Sequence, residues 1–112
     1  MELLEIAVTE RSGWSVVTAS GQLDVATAPR LRETLQAQQH APTRRLVLDL
    51  SGIEFLDSFG LGVLVGGLRR ARSGGGALVL VGVRPRIAQV LAVTGLDAVF
   101  DIAVGVEEVV GP

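Results

Sequence analysis

The chain has 112 residues, of which ten are basic and twelve acidic, for a formal net charge of −2, and 48% are hydrophobic. This length suits a single domain with one core, and the charge balance with 4% aromatic residues lacks the basic face and stacking rings of a nucleic-acid binder. Because there is no cysteine, disulfides, thiolate nucleophiles and zinc sites built on cysteine are excluded. His40 is the only histidine, so a histidine-rich metal site is not expected either. No cofactor is predicted.

The longest apolar run covers residues 59–68, between Asp57 and Arg69. A membrane-spanning helix needs about 20 apolar residues, so this run predicts a buried helix and no membrane association. The start of the chain shows no basic segment followed by an apolar stretch and a cleavage site, so no secretory signal is predicted. We therefore expect a cytoplasmic protein.

The first two predicted elements form a hairpin. Leu4, Ile6 and Val8 alternate with other residues at the period of a half-buried strand. Residues 11–13 (Arg-Ser-Gly) predict a turn, and residues 14–19 predict a second strand that pairs antiparallel with the first.

The first helix is predicted to begin within residues 24–29. Thr27 is a candidate N-cap, and Pro29 falls in the first turn, where its missing N–H costs little. Ala28, Leu31 and Leu35 share one face, which predicts that this face packs on the core.

Strand and helix patterns alternate through the rest of the chain. They predict a central strand over residues 45–50, helices over 58–72 and from Pro85, a strand over 77–81, an edge strand over 99–102 and a last helix including 107–110. The helix from Pro85 carries an apolar stripe and ends before Gly95; the stripe is Ile87, Val90, Leu91 and Thr94. The pattern predicts an α/β domain with a mixed sheet of four to five strands, an N-terminal antiparallel hairpin and about four helices.

Ser58 lies where the chain is predicted to pass from the central strand, through a loop, into the buried helix. Ligand and partner sites usually occupy this position in open α/β sheets. Ser58 also stands at the predicted N-cap, where a phosphate of about −1.5 to −2 charges would meet free N–H groups and the positive helix pole. A serine that only caps the helix explains the position as well.

The predicted second helix contains an unusual set of small and basic residues. They are Gly60, Gly62, Gly66 and Gly67, followed by Arg69, Arg70 and Arg72. The glycines lack the Gly-Lys-Ser/Thr of a phosphate loop and miss the dinucleotide-binding spacing, so close packing of the helix on the sheet is the preferred interpretation. The arginines suit the negative pole of the helix and, as a solvated face, need no ligand.

Three segments resemble the bacterial anti-sigma factor antagonists of the STAS family. Residues 48–65 contain Leu-Asp-Leu-Ser-Gly followed by Leu-Asp-Ser-x-Gly-Leu-Gly-Val-Leu-Val, residues 21–31 contain Gly-x-Leu-Asp-x-x-Thr-Ala-Pro-x-Leu, and residues 85–97 end in Leu-x-x-Thr-Gly-Leu-Asp. The order and spacing match the family over almost the whole chain. The resemblance implies one STAS domain over residues 1–112. The absence of cysteine and the single histidine predict that it is not an enzyme.

The resemblance also implies a phosphorylation switch at Ser58. In such systems the unphosphorylated antagonist binds an anti-sigma factor, which is also a serine protein kinase, and so releases the sigma factor. Phosphorylation of the serine breaks the complex, and a serine phosphatase restores it. We expect a monomer or weak dimer whose partner surface comprises Asp24, Asp57, Ser58, Phe59, Gly60 and Leu61.

Two of these residues have a second interpretation. Asp57 either orients Ser58 and is recognised by the kinase, or bonds to backbone N–H groups as a loop residue. Asp24 either belongs to the partner surface or provides favourable charge at the start of the first helix.

Phe59 departs from the family, which commonly has a small residue directly after the phosphorylated serine. The ring is either tucked against the adjacent loop or exposed as an apolar anchor for a partner. It could strengthen or redirect partner binding, and it could hinder a kinase that expects a small neighbour.

Two other functions compete with the switch. One is a STAS-like scaffold that no kinase modifies, as an accessory subunit of a transport or stress-signalling complex. The other is a serine hydrolase that uses Ser58 with His40 as base, although the chain lacks the Gly-x-Ser-x-Gly elbow of such enzymes.

Overall fold

The computed structural model describes residues 3–40 and 45–112. In chain order the elements are β1 (Leu4–Arg11), β2 (Trp14–Leu23), α1 (Ala28–Gln39), β3 (Arg45–Leu56), α2 (Ser58–Ser73), β4 (Ala77–Val81), α3 (Pro85–Val93), a 3₁₀ turn (Leu96–Ala98), β5 (Asp101–Ala103) and α4 (Val106–Val110). The predicted α/β alternation is confirmed, and β4 has the predicted bounds.

The five strands form one mixed sheet in the order β1-β2-β3-β4-β5. β1 and β2 pair antiparallel, and all other neighbours pair parallel. The hairpin turns at Ser12 and Gly13, whose φ angles of 52° and 82° are the positive values that a tight hairpin turn requires. The predicted N-terminal hairpin is therefore confirmed.

Strands β2 and β3 are both longer than the sequence predicts. β2 continues to Leu23 and β3 to Leu56, because the two strands remain paired from Ser20↔Gly52 to Leu23↔Leu56. Register shifts in β2 accommodate this extension. The prediction of a loop after residue 50 is therefore wrong, because only Asp57 separates β3 from α2.

The sheet has an apolar cluster on each face. Leu46, Leu48 and Leu50 of β3 belong to the large cluster that includes buried residues of α1, α2 and α3. Val47 belongs to a smaller cluster on the other side, which includes Val110 of α4. The prediction of a central strand covered on both faces is therefore confirmed. The predicted inner face of α1 is buried as well.

Three predicted details differ at the edges of the fold. Val8 is 42% exposed, so only the first part of β1 is buried. The stripe on α3 ends at Leu91, because Thr94 lies at the C-cap, where its hydroxyl donates to the carbonyl of Val90. β5 covers Asp101–Ala103 rather than residues 99–102.

The glycines of α2 divide into two kinds. A Cβ on Gly60 would lie 2.5 Å from the carbonyl oxygen of Leu23, and one on Gly67 would lie 3.3 Å from Leu35 Cδ1. A Cβ on Gly62 would meet nothing within 4 Å, and one on Gly66 would meet only the guanidinium of Arg70, at 3.4 Å. Close packing therefore explains Gly60 and Gly67, and is the wrong interpretation for Gly62 and Gly66.

In the described part of the chain, no helix has the length and apolar character needed to cross a bilayer.

Replacing Gly60 or Gly62 by alanine should change the free energy of unfolding in opposite directions. Gly60→Ala forces its methyl group against Leu23 and should lower stability by about 1–3 kcal/mol. Gly62→Ala has open space and should raise stability by up to about 1 kcal/mol, since alanine is the better helix former. Urea unfolding measures both. Two changes of the same sign would contradict the packing described here.

Candidate functional site

The candidate site lies at the edge of the sheet where β2 and β3 end side by side. Leu23 pairs with Leu56, and the N–H of Asp57 donates to the carbonyl of Leu23 at 3.2 Å. Both strands then lead into the helices α1 and α2. The parallel pairing therefore brings the loop at residues 24–27 next to the start of α2.

Asp57 is the N-cap of α2 and links these two segments. Its Oδ1 accepts hydrogen bonds from the N–H groups of Phe59 at 2.9 Å and Gly60 at 3.0 Å. Its Oδ2 accepts one from the N–H of Val25 at 3.0 Å. One carboxylate thus satisfies two of the unpaired N–H groups at the helix start and holds the neighbouring loop. Bonding to backbone N–H groups is the role that the structure gives Asp57.

Ser58 is the first residue of α2, and the prediction that it is the N-cap is wrong. Because β3 runs on to Leu56, Asp57 takes the extended backbone geometry of the cap and its carboxylate reaches the amides beyond. Ser58 is exposed, and within the described residues its hydroxyl has no hydrogen-bond partner. A phosphate on Ser58 was expected to meet free N–H groups at the helix start, but two of these, on Phe59 and Gly60, already donate to Asp57.

Asp24 shapes the loop that faces Ser58. Its Oδ1 accepts from the N–H groups of Ala26 and Thr27 at 3.0 and 3.1 Å. The hydroxyl of Thr27 donates to the carbonyl of Gln22 at 2.7 Å and accepts from the N–H of Asp24. Thr27 occupies the predicted N-cap position of α1, but its side chain makes no capping hydrogen bond. The predicted position is therefore correct, and the predicted capping bond is wrong.

Two large apolar side chains are exposed on the two segments that Asp57 joins. Phe59 is 59% exposed and Val25 is 57% exposed, and the amides of both donate to Asp57. Of the two alternatives for Phe59, the structure therefore shows the exposed ring. Val25 was not predicted, although an apolar residue in the polar segment between Asp24 and Thr27 is a usable signal.

The other two predicted contact residues lie beneath this surface. Gly60 is buried, and Leu61 is partly buried and packs against the large core cluster. The side chains that reach the surface are those of Asp24, Asp57, Ser58 and Phe59.

His40 and Ser58 lie at opposite ends of α2. A cleft at the C-terminal end of α2 is lined by His40 together with Arg69 and Ser73. A helix of 16 residues is about 24 Å long. His40 therefore cannot act as base for Ser58, so the Ser58–His40 pair that the hydrolase hypothesis requires is not formed.

The sequence predicts that the arginines of α2 form a solvated face. The structure shows that their surroundings differ. Arg70 is partly buried and its Nε donates to Gln39 Oε1 at 2.8 Å. Arg72 donates from Nη2 to the carbonyl of Val99 at 2.8 Å, while Arg69 is exposed. Over residues 3–40 and 45–112, no three potential metal ligands gather in one cluster.

Removing the cap should cost far more stability than removing the exposed hydroxyl. Asp57→Ala should lower the free energy of unfolding by about 0.5–2 kcal/mol, because it leaves amides at the start of α2 without an acceptor. Ser58→Ala should change it by less than about 0.5 kcal/mol. Urea unfolding and hydrogen exchange of the Val25 and Phe59 amides test this. Equal losses in the two variants would contradict the assignment of the cap to Asp57 alone.

Comparison with known proteins agrees with this architecture. The family model of the STAS domain matches residues 5–109. The chain is 33% identical over 104 residues to the anti-sigma-B factor antagonist of Staphylococcus aureus strain NCTC 8325, covering 93% of this chain and 96% of that protein. It is 32% identical over 100 residues to the anti-sigma-B factor antagonist of Listeria monocytogenes, covering 88% of each chain.

A solved structure shares the fold. The crystal structure of an anti-sigma factor antagonist from Mycobacterium paratuberculosis superposes with a TM-score of 0.84 and 31% identity, covering 94% of this chain and 89% of that one. The matched domain, the related sequences and the shared fold together show that the chain belongs to the STAS-domain family of anti-sigma factor antagonists.

Proposed function

We propose that this chain is a phosphorylation-controlled antagonist of an anti-sigma factor that is also a serine kinase. The unphosphorylated chain binds that partner in the cytoplasm and so frees the sigma factor. Phosphorylation of Ser58 ends the binding, and a serine phosphatase reverses it. The observation that carries the proposal is the exposed Ser58 hydroxyl, which has no hydrogen-bond partner among the described residues and is followed directly by the exposed ring of Phe59.

The surface around Ser58 has the composition of a protein interface. Exposed apolar and aromatic side chains that become buried provide much of the energy at protein interfaces. Phe59 and Val25 present such side chains, and the hydrogen bonds of both amides to Asp57 hold the backbone beneath them. Little backbone order is then lost on binding, which favours affinity.

A phosphate at Ser58 would change this surface without disturbing the core. The residue is exposed, and negative charge is favourable at a helix N-terminus. The neighbouring amides already donate hydrogen bonds to Asp57, so the phosphate would add negative charge beside an existing carboxylate. In a closed interface, that charge would lose its hydration and would lie beside the carboxylate of Asp57. Binding would therefore weaken while the fold remains intact.

The alternative is a STAS scaffold that no kinase modifies, as an accessory subunit of a transport or stress-signalling complex. Phe59 is the observation in its favour, because the exposed ring directly follows Ser58 where the family commonly has a small residue. Partner binding is then retained, and the phosphorylation step is absent.

The binding step can be tested with every anti-sigma factor kinase encoded in the same genome, each produced as purified protein. At least one should bind the wild type and Ser58→Ala equally. Ser58→Asp should bind it at least about tenfold more weakly, because tenfold corresponds to about 1.4 kcal/mol, a modest cost for placing a charge in an interface. Calorimetry measures the affinities. Equal affinity for all three chains would show that Ser58 lies outside the interface.

The phosphorylation step is tested by intact mass after incubation with the binding kinase and ATP. Wild type should gain one phosphate and Ser58→Ala none. Phe59→Ser, which restores the small neighbour typical of the family, should react at least as fast as wild type. If the kinase modifies Phe59→Ser but leaves the wild type unmodified, the scaffold alternative holds for the natural chain.

A further inference from the structure

A second surface feature begins at Ser58 and extends along the outside of α2. It is a cleft of about 330 Å³ between α1 and α2. Its lining includes Arg32, Ser58, Phe59, Gly62, Gly66 and Arg70. The two helices run in the same direction beside it, since Asp57 bonds the loop before α1 at one end, and Gln39 donates to the carbonyl of Gly67 at the other.

The fold itself does not require the two glycines that line this cleft. A side chain at Gly62 would meet open space, and one at Gly66 would meet only the movable end of Arg70. Glycine inside a helix lowers stability relative to alanine, so these positions carry a cost that no internal packing explains. Without side chains, they allow another protein backbone to approach α2 closely.

The cleft also has positive charge without a matching negative group. Nη2 of Arg70 is buried and has no hydrogen-bond partner among the described residues. Burial and then the charge of Arg32 lower the pKa of Arg70 below its ordinary value. The ion pair found within residues 3–40 and 45–112 joins Arg11 to Glu107, so neither cleft arginine has a described carboxylate within 4.0 Å.

We propose that this cleft is a second part of the partner surface and binds an acidic segment of the same anti-sigma factor. The inference rests on the proposed function. The segment's backbone lies over Gly62 and Gly66, and one of its carboxylates pairs with Arg32 and Arg70. Guanidinium groups match a carboxylate in charge and in planar geometry, and both arginines line the cleft.

The position of Ser58 at one end of the cleft links this surface to the switch. A phosphate there would place negative charge beside the path of an acidic segment. It would therefore repel the segment as well as interrupt the apolar contact at Phe59.

The cleft can be tested without the natural partner by titrating isotope-labelled protein with a tetraglutamate peptide in near-physiological salt. The amide resonances of Gly62 and Gly66 and the Nε resonance of Arg70 should shift. Arg32→Glu should abolish these shifts, whereas Arg69→Glu should retain them, because Arg69 is exposed outside the cleft and the change in net charge is the same. A tetraglutamine peptide should produce none. Absence of shifts at the cleft, or equal loss in both charge variants, overturns the proposal.

The kinase that binds the wild type provides the second test. Arg32→Glu and Gly62→Leu should each weaken its binding by about tenfold, equivalent to about 1.4 kcal/mol, while Arg69→Glu should not. Unfolding midpoints verify that each variant is folded. If the kinase binds all variants like wild type, the cleft proposal fails and the proposed function stands. If no kinase binds even the wild type, the proposed function fails and the peptide titration still decides the cleft.

Discussion

The site depends on the carboxylate of Asp57. It accepts hydrogen bonds from Phe59 and Gly60 on α2 and from Val25 in the facing loop, so one side chain joins two segments that are far apart in sequence. These bonds explain why α2 begins at Ser58, why the loop lies close to it, and why Ser58 itself has no structural task. A residue without a structural task can change its charge without loss of fold, which is what a modification site requires.

The same arrangement separates the contributions of neighbouring residues. Leu23 and Leu56 fix the ends of two paired strands in the core, and Gly60 allows α2 to approach them closely. Above this base, Phe59 and Val25 expose apolar surface. In the proposed switch, the buried layer sets the geometry, the exposed layer provides binding energy, and Ser58 provides the charge that cancels it. Substitutions in the two layers should therefore be separable by stability and affinity measurements.

Local patterns predicted the elements well, and long-range contacts account for what they missed. The presence of strand β1, the apolar strand β4 and the inner face of α1 follow from neighbouring residues alone. The extension of β3 through Ser51, Gly52 and Glu54 does not, because it depends on pairing with the end of β2. That error displaced the cap by one residue. Likewise, Gly60 and Gly62 look alike in sequence, and only the tertiary structure shows which one faces the core.

The single residue between β3 and α2 has a consequence for how a signal leaves this domain. A long loop could absorb a phosphate by moving, and the movement could then be sensed elsewhere on the protein. Here the residues on either side of Ser58 are fixed by hydrogen bonds and by the sheet. The backbone therefore has no freedom to move and cannot pass a displacement to other parts of the protein. In the proposed switch the change is therefore local, and any protein that detects it must touch Ser58 or its immediate surroundings. In the proposed switch, the anti-sigma factor kinase and the phosphatase would then compete for one small area, which makes their binding mutually exclusive by geometry alone.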